Sequence, residues 1–199
     1  ADDETMTFGT RTWRFLHTLG HASHHICIHD SASNGVFTGD SFGLFYDWMT
    51  IDPAKLFIMC LSTPTEFDAT EARKSVERWL ALNAGSAYVG HFGELRNMHN
   101  AAPTLLYTID AFDAIQHEAA NTDLGGEALL EFCRERVEHI AMEICARCGV
   151  EPAQHQRRVV RGRGRDCDVH LISRNKALEC RPTVCRRCWE AQRDKHFAV

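Results

Sequence analysis

The prediction of the fold depends first on residues 11–20, which read Arg11-Thr-Trp-Arg-Phe-Leu-His17-Thr-Leu-Gly20. Spacings of three and four residues recur in this stretch, at Trp13, Leu16, His17 and Gly20. Residues three and four apart are neighbours on the surface of a helix. We therefore predict a helix over residues 10–20.

Four later segments also predict helices, at residues 41–50, 68–82, 91–107 and 126–146. Asp68 would be a favourable N-cap for the second of these, because its carboxylate can accept from an amide of the first turn. Pro103 either ends the third helix or kinks it. With these helices, the first 146 residues read as a mainly α-helical bundle.

A polar loop is predicted between the first two helices, from about His21 to Gly39. Its four histidines are His21, His24, His25 and His29. A histidine cluster can bind a metal ion, but no ordered set of carboxylates accompanies this one. We therefore predict a solvated loop rather than a metal site.

The composition is that of an ordinary globular protein, with 44% hydrophobic and 25% charged residues in a chain of 199. This length suits one domain, or one domain with a small added module. No run of about 18 apolar residues is present, so we expect no membrane span. The charge is uneven, because residues 1–153 hold 10 Lys and Arg against 22 Asp and Glu, whereas residues 154–199 hold 12 against 5.

The cysteines are concentrated near the C-terminus, where seven of nine lie between Cys133 and Cys188. They include two Cys-x-x-Cys pairs, Cys145-Ala-Arg-Cys148 and Cys185-Arg-Arg-Cys188. Each two-residue spacer lets both thiolates face one tetrahedral ion, so the pairs predict a structural zinc site in a treble-clef or ribbon-like module. Three further residues are alternative ligands: Cys180, Cys167 and His170.

Arginines are interleaved with these cysteines, at Arg157, Arg158, Arg161, Arg163, Arg165, Arg186 and Arg187. Guanidinium groups on a rigid zinc module can follow a phosphate backbone. The segment therefore predicts contact with RNA or with an acidic partner. The acidic remainder of the same chain is an alternative partner for this basic surface.

Two distant segments each contain a histidine, with an aromatic residue in Trp13-Arg-Phe-Leu-His17-Thr and with an asparagine in Met98-His99-Asn100. A cysteine segment, Cys60-Leu-Ser-Thr63, lies between them. Together they resemble the Erv/ALR family of FAD-dependent sulfhydryl oxidases over roughly residues 9–115. The resemblance implies a small helical bundle that holds FAD through four residues, Trp13, His17, His99 and Asn100.

The resemblance also implies a redox centre at Cys60, where the family carries Cys-x-x-Cys. In this chain the second position is Thr63, so Cys60 cannot close an internal disulfide within the motif. We interpret Cys60 as a small buried apolar residue. It would be catalytic only if another thiol, such as Cys27, replaced the missing partner.

These observations predict an Erv/ALR-like helical domain at residues 1–125, followed by a long helix and the basic zinc module at residues 126–199. By analogy with the family, we expect a non-catalytic structural subunit of a mitochondrial ribosome or another ribonucleoprotein, with protein subunits and RNA as partners. One alternative is an active FAD-dependent thiol oxidase. A second is an HNH-type nuclease, suggested by Asp168-Val-His170 beside the cysteine pairs.

Overall fold

The computed structural model describes residues 2–61, 66–91 and 93–150, with only the backbone of Trp48. Within these residues the fold is mixed α/β, with one seven-stranded sheet and three α-helices. The strands are β1 (Thr5–Phe8), β2 (Arg11–His17), β3 (Ile26–Asp30), β4 (Gly35–Phe45), β5 (Ile58–Met59), β6 (Ser86–His91) and β7 (Gly93–Arg96). The helices are α1 (Ala69–Ala81), α2 (Met98–Ala120) and α3 (Gly126–Arg147). The prediction of a mainly helical bundle is therefore wrong.

The sheet has the strand order β1-β2-β3-β4-β6-β7, and β5 pairs with the end of β4. All neighbours run antiparallel except β4 and β6, which are parallel. Parallel strands need a long crossover connection, and α1 lies in the connection between them. The carboxyl ends of β4 and β6 therefore lie side by side.

The stretch predicted as the first helix contains β2 instead. Trp13 and His17 are four residues apart, a spacing that places two side chains on one face of a helix and also on one face of a strand. Pairing with distant strands decides between the two, because Trp13 lies opposite Met6 in β1 and Asp30 in β3. Tertiary pairing overrides the local pattern here.

Two further predicted helices are also corrected. Residues 41–45 complete β4, and only a short 3₁₀ turn follows at Asp47–Met49. The helix predicted over residues 91–107 begins at Met98, after β7, and continues past Pro103 to Ala120. The proline therefore does not end this helix.

The predictions of helices over residues 68–82 and 126–146 are confirmed by α1 and α3. The Asp68 carboxylate caps α1 by accepting from the amide of Glu71 at 2.9 Å. In the described part of the chain, no helix is both long enough and apolar enough to cross a membrane.

The core lies where α1 and α2 pack against the sheet, and α3 packs against α2. Trp79 of α1 is fully buried, and its ring centre lies 5.1 Å from that of Phe42 in β4. The sheet contributes the buried side chains Leu16, Cys27, Val36, Ala87 and Leu95. Each large apolar side chain buried in this way contributes about 1.5–3 kcal/mol. This packing fixes the position of the loop between β2 and β3 relative to β4 and β6.

Candidate functional site

Asp40 lies with a histidine at each of its two carboxylate oxygens. Its Oδ1 is 3.2 Å from Nε2 of His91, and its Oδ2 is 3.6 Å from Nε2 of His21. The three side chains come from separate elements, since Asp40 is in β4, His91 ends β6 and His21 is in the loop between β2 and β3. The fold therefore brings two imidazoles and one carboxylate together beside the paired strands β4 and β6.

Gly20 positions His21. Its φ of +115° is one that L side chains rarely adopt, and a Cβ there would lie 2.3 Å from the Cα of Ala72 in α1. The carbonyl of Gly20 accepts from the amide of Asp68 at 2.9 Å. The loop is therefore attached directly to the start of α1.

Two more glycines allow close approach around Asp40. Gly39 has a φ of +51° at an irregularity in the pairing of β4 with β6, and a Cβ there would lie 2.8 Å from Nε2 of His25. A Cβ at Gly90 would lie 2.8 Å from Oδ1 of Asp40. The carboxylate therefore occupies space that only glycine leaves open at position 90.

The ring of His21 has a defined orientation. Its Nδ1 lies 3.3 Å from the carbonyl oxygen of Leu61, which can only accept, so Nδ1 carries the proton in this contact. In the neutral ring, Nε2 is then an unprotonated nitrogen that faces the carboxylate of Asp40. Two electron-rich atoms face each other favourably only when a proton or a metal ion lies between them.

The charge on Asp40 is stabilised by its neighbours. The hydrogen bond from His91 lowers the pKa of this carboxyl, and the charges of His91, His21 and His25 act in the same direction against the effect of burial. Burial, followed by the charge of His21, lowers the pKa of His25. An anionic carboxylate therefore lies beside a His25 ring that favours its neutral form.

A network of polar side chains connects the loop that carries His21 to β4. Nδ1 of His25 lies 3.0 Å from both Oγ1 of Thr18 and Oγ of Ser41, which connects the loop to β4. Thr18 in turn contacts the thiol of Cys27 at 3.0 Å. Burial raises the pKa of that thiol. These contacts limit the movement of the loop that carries His21.

The chemistry of these donors fits a metal ion. Imidazole nitrogen and carboxylate oxygen are both ligands of zinc, and a backbone carbonyl on the second ring nitrogen is the usual support of a ligating histidine. Among residues 2–61, 66–91 and 93–150, no three such side chains close around a single point as a complete ligand set. The three residues thus offer suitable donor atoms, arranged on the two sides of one carboxylate.

The residues predicted to bind flavin lie in two places. Trp13 is on β2, where it stacks with Phe8 at 6.5 Å, and Nε2 of His17 donates to the carbonyl of Ser23 at 3.0 Å. His99 and Asn100 are exposed in the first turn of α2. In the described structure, no hydrogen bond or ring contact joins the β2 pair to the α2 pair.

Cys60 is buried in the core beside α2. Its amide donates to Oγ1 of Thr108 at 2.9 Å, and burial raises the pKa of its thiol well above the usual range. A thiol that remains protonated is a poor nucleophile. The interpretation of Cys60 as a small buried residue is confirmed.

Of the predicted zinc ligands, Cys145 and Cys148 lie in the last turn of α3 and just after it, and both are buried. The other predicted residues of this module lie outside the described residues: Cys185, Cys188, Cys180, Cys167, His170 and the arginines Arg157, Arg158, Arg161, Arg163, Arg165, Arg186 and Arg187.

The sequence does not predict Asp40 or His91 as site residues, and its pattern assigns His21 to a solvated loop. That assignment is wrong for His21, whose side chain is only 12% exposed. One signal was present, because each of the three residues follows a glycine, in Gly20-His21, Gly39-Asp40 and Gly90-His91. The structure shows that each glycine occupies a position with no room for a Cβ.

A sheet packed against helices, with histidine and aspartate side chains converging beside β4 and β6, defines a mixed α/β protein with a candidate metal centre. Residues 2–102 match the sequence profile of the metallo-beta-lactamase superfamily. Because the match spans just over half of the chain, the chain belongs to this superfamily. No curated protein matches the chain closely enough to be counted as a relative.

Several solved structures are similar to the chain. A metallo-beta-lactamase superfamily protein from the archaeon Sulfolobus tokodaii is 21% identical, with a TM-score of 0.40, and the match covers 71% of this chain and 49% of that one. A family protein from Thermus thermophilus is 18% identical, with a TM-score of 0.44 and coverage of 74% and 46%. A beta-lactamase domain protein from Burkholderia ambifaria is 16% identical, with a TM-score of 0.44 and coverage of 74% and 44%. The chain therefore spans about half the length of these structures.

The family membership corrects the functional predictions. The chain is not an Erv/ALR protein, so the FAD pocket, the thiol oxidase and the ribosomal structural subunit lose their basis, and the HNH-type nuclease is not supported. Zinc agrees with the family, whose members typically bind this metal. The mitochondrial location and the partner subunits stay predictions that no longer follow from the family.

Proposed function

We propose that the chain contributes to the metal centre of a zinc-dependent hydrolase, with His21, Asp40 and His91 as ligands. The proposal rests on one observation. The ionised carboxylate of Asp40 lies between two imidazoles, and Nε2 of each ring faces it. Membership of the metallo-beta-lactamase superfamily supports the same chemistry. The reaction class we propose is hydrolysis of an ester or amide bond.

The residues have separate roles in this proposal. A bound zinc ion would supply Lewis-acid chemistry and make a water molecule more acidic. Asp40 provides the negative charge that retains a cation, and the contact of Nδ1 of His21 with the carbonyl of Leu61 leaves Nε2 as the nitrogen that would bind the metal. His25 braces the loop against β4 through Thr18 and Ser41 and is not itself proposed as a ligand.

The proposal is tested by removing and restoring the metal. The protein is treated with a chelator, dialysed and titrated with zinc, and bound zinc and hydrolysis of p-nitrophenyl acetate are measured together. His91→Gln should weaken zinc binding by more than the roughly 10–100-fold that loss of a supporting residue costs. Hydrolysis by the unmodified protein should depend on added zinc.

A matched control is available on α2. His117 lies 3.4 Å from the carboxylate of Asp113, so His117→Gln removes a similar histidine–aspartate contact away from the site. This variant should bind zinc as the unmodified protein does. Equal zinc affinities for the two variants would contradict the proposed ligand set, and zinc binding without any hydrolysis would contradict the proposed reaction.

A further inference from the structure

The sheet has a second face, opposite to the one that packs against α1 and α2. Successive side chains of a strand point to opposite faces, so each buried core residue has a neighbour on this second face. In four strands that neighbour is a large apolar residue: Phe15, Ile28, Phe37 and Tyr88. Each stands opposite the next in the register, so the four form one row across β2, β3, β4 and β6.

More apolar residues extend this row toward β1. Met6 stands opposite Trp13, and the ring of Phe8 stacks on that of Trp13 with 6.5 Å between the ring centres. Ile26 lies two residues before Ile28 on β3, so it is on the same face. Together these residues form the apolar face of the sheet: Met6, Phe8, Trp13, Phe15, Ile26, Ile28, Phe37 and Tyr88.

A glycine keeps the apolar face flat where β4 meets β6. A Cβ at Gly35 would lie 2.5 Å from Cε2 of Tyr88, so the tyrosine ring occupies the space that a side chain would fill. The ring centres of Tyr88 and Phe37 are 4.8 Å apart. Flat apolar sheet faces pack well against a second sheet, at a separation of about 10 Å. The shape therefore suits another sheet as the partner.

The apolar face accounts for most of the exposed apolar surface in the described part of the chain. Six large apolar side chains are exposed there, and four of them belong to this face: Met6, Phe8, Ile26 and Phe37. Phe8 is 74% and Phe37 46% exposed, so the two rings alone expose roughly 180–300 Å². The whole face exposes on the order of 500 Å², which is near the upper end for a monomer and is typical of an interaction site.

Charged residues border the apolar face in pairs of opposite sign. Arg11 lies 3.0 Å from Asp30, and on β7 Arg96 lies 3.2 Å from Glu94. The register places both pairs on the same side of the sheet as the apolar residues. An apolar centre with a polar rim is the usual arrangement of a protein interface. Because this rim has no net charge, it favours a neutral protein surface over a nucleic acid or a strongly charged partner.

We propose that the apolar face binds a second copy of this chain, sheet against sheet, around a two-fold axis. Such an axis brings one surface patch against the same patch of the partner. Two apolar faces would bury about 1,000 Å² together, and the charged rims raise the total toward the roughly 1,200–2,000 Å² of a stable interface. The proposal involves neither Asp40 nor zinc, so it is independent of the proposed hydrolase centre.

The test is sedimentation equilibrium of the full-length chain over a range of concentrations, with a chelator present to exclude dimers bridged by metal. The mass of the unmodified protein should approach twice 22.5 kDa as the concentration rises. Phe37→Glu places a charge within the face and should weaken the dimer by roughly 30-fold or more, as for loss of a central aromatic anchor. A protein that stays monomeric would overturn the proposal, as would a variant that dimerises as tightly as the unmodified protein.

Ile51→Glu is the matched control. Ile51 is 49% exposed, close to the exposure of Phe37, but it lies in the loop between β4 and β5 and not on the apolar face. This variant should dimerise as the unmodified protein does. Equal weakening by the two substitutions would show that the added charge, and not the apolar face, controls association, which would also overturn the proposal.

A measurement on the unmodified protein covers the case in which Phe37→Glu fails to fold. Hydroxyl radicals label exposed side chains, and mass spectrometry reports the labelling of each residue at low and at high protein concentration. Met6, Phe8 and Phe37 should be protected only where the dimer forms, and Ile51 should be labelled equally throughout. Protection that persists in the monomer would show that the face is covered within one copy, and labelling that is unchanged in the dimer would show that the dimer uses another surface. Either result would exclude the proposed interface.

Discussion

The cysteine pair at the end of α3 and the group of residues around Asp40 are built in opposite ways. Cys145 and Cys148 lie three residues apart at the end of α3, so a single helix end sets their relative positions. Asp40, His21 and His91 come from a strand, a loop and the end of another strand. The spacing motif in the sequence predicts the cysteine pair, whereas the residues around Asp40 come together only in the folded sheet.

This difference shows what each kind of site requires from the rest of the protein. The cysteine pair needs a helix end and one glycine with a positive φ, at Gly149. The Asp40 centre needs three close backbone approaches, at Gly20, Gly39 and Gly90. A site assembled from distant elements therefore depends on small residues that carry none of its chemistry.

The largest expected effect comes from Asp40→Asn, which removes the negative charge and keeps nearly the same shape. Zinc binding at this centre should weaken by more than about 100-fold, because losing a residue bound directly to the metal lowers the affinity more than losing a residue that supports a ligand. Competitive titration of the metal-free protein with zinc measures this change.

Asp113→Asn is the control for this variant. Asp113 and Asp40 are both 43% exposed, and each pairs with a histidine, Asp113 with His117 at 3.4 Å. The control should retain the zinc affinity of the unmodified protein. If the two variants bind zinc equally well, Asp40 is not a ligand and the contrast between the sites disappears.

A smaller effect is expected from Gly90→Ala, which tests whether the glycines position the ligands. The added methyl group would lie 2.8 Å from Oδ1 of Asp40 and 3.0 Å from the backbone of Gly39, so the carboxylate has to move. We expect zinc binding to weaken by roughly 10-fold, as for loss of a supporting residue. Isothermal titration of the metal-free protein with zinc measures this change.

Gly85→Ala controls for the substitution itself. The new Cβ would be 3.7 Å from the nearest atom, the carbonyl oxygen of Asn34, which is an ordinary contact. This variant should bind zinc normally. A normal affinity for Gly90→Ala would mean that the carboxylate tolerates displacement and that Gly90 does not position it.

The same contrast explains which parts of the fold could be predicted from the sequence. The sequence predicts the helices α1 and α3 because their signals are local, such as the Asp68 cap. The sequence does not predict the strand β2, because a four-residue spacing between Trp13 and His17 fits a helix and a strand equally well. Only its pairing with β1 and β3 distinguishes them, and no local pattern contains that information.

The candidate site divides in a similar way. The Cys-x-x-Cys pairs could be found from spacing alone. The four histidines of the loop form a visible cluster in the sequence, but the carboxylate that gives His21 a role lies on another element, at Asp40. A ligand set drawn from three elements has no fixed spacing, so the repeated glycine before each residue was the remaining local signal.

The smallest expected effect concerns Asp30, a carboxylate whose hydrogen bonds are mostly local. Its oxygens accept from the hydroxyl of Ser33 at 2.8 Å and from the amide of Ala32 at 3.3 Å, and Arg11 lies 3.0 Å away. The hydroxyl of Ser33 is the main cause of the lowered pKa of this carboxyl. Asp30 is thus the local counterpart of Asp40, whose neighbours come from other elements.

The sign of the pH dependence follows from that lowered pKa. Above the unfolded value of 3.8 the ionised carboxylate stabilises the folded protein, and this contribution is lost as the pH falls through the folded value. Asp30→Asn should therefore reduce the difference between the urea midpoints measured near neutral pH and at about pH 3. Zinc binding should stay unchanged, because Asp30 is not part of either site. If the midpoint difference equals that of the unmodified protein, the ionised Asp30 carboxylate does not stabilise the folded state. If the variant loses zinc, the turn after β3 supports the Asp40 centre.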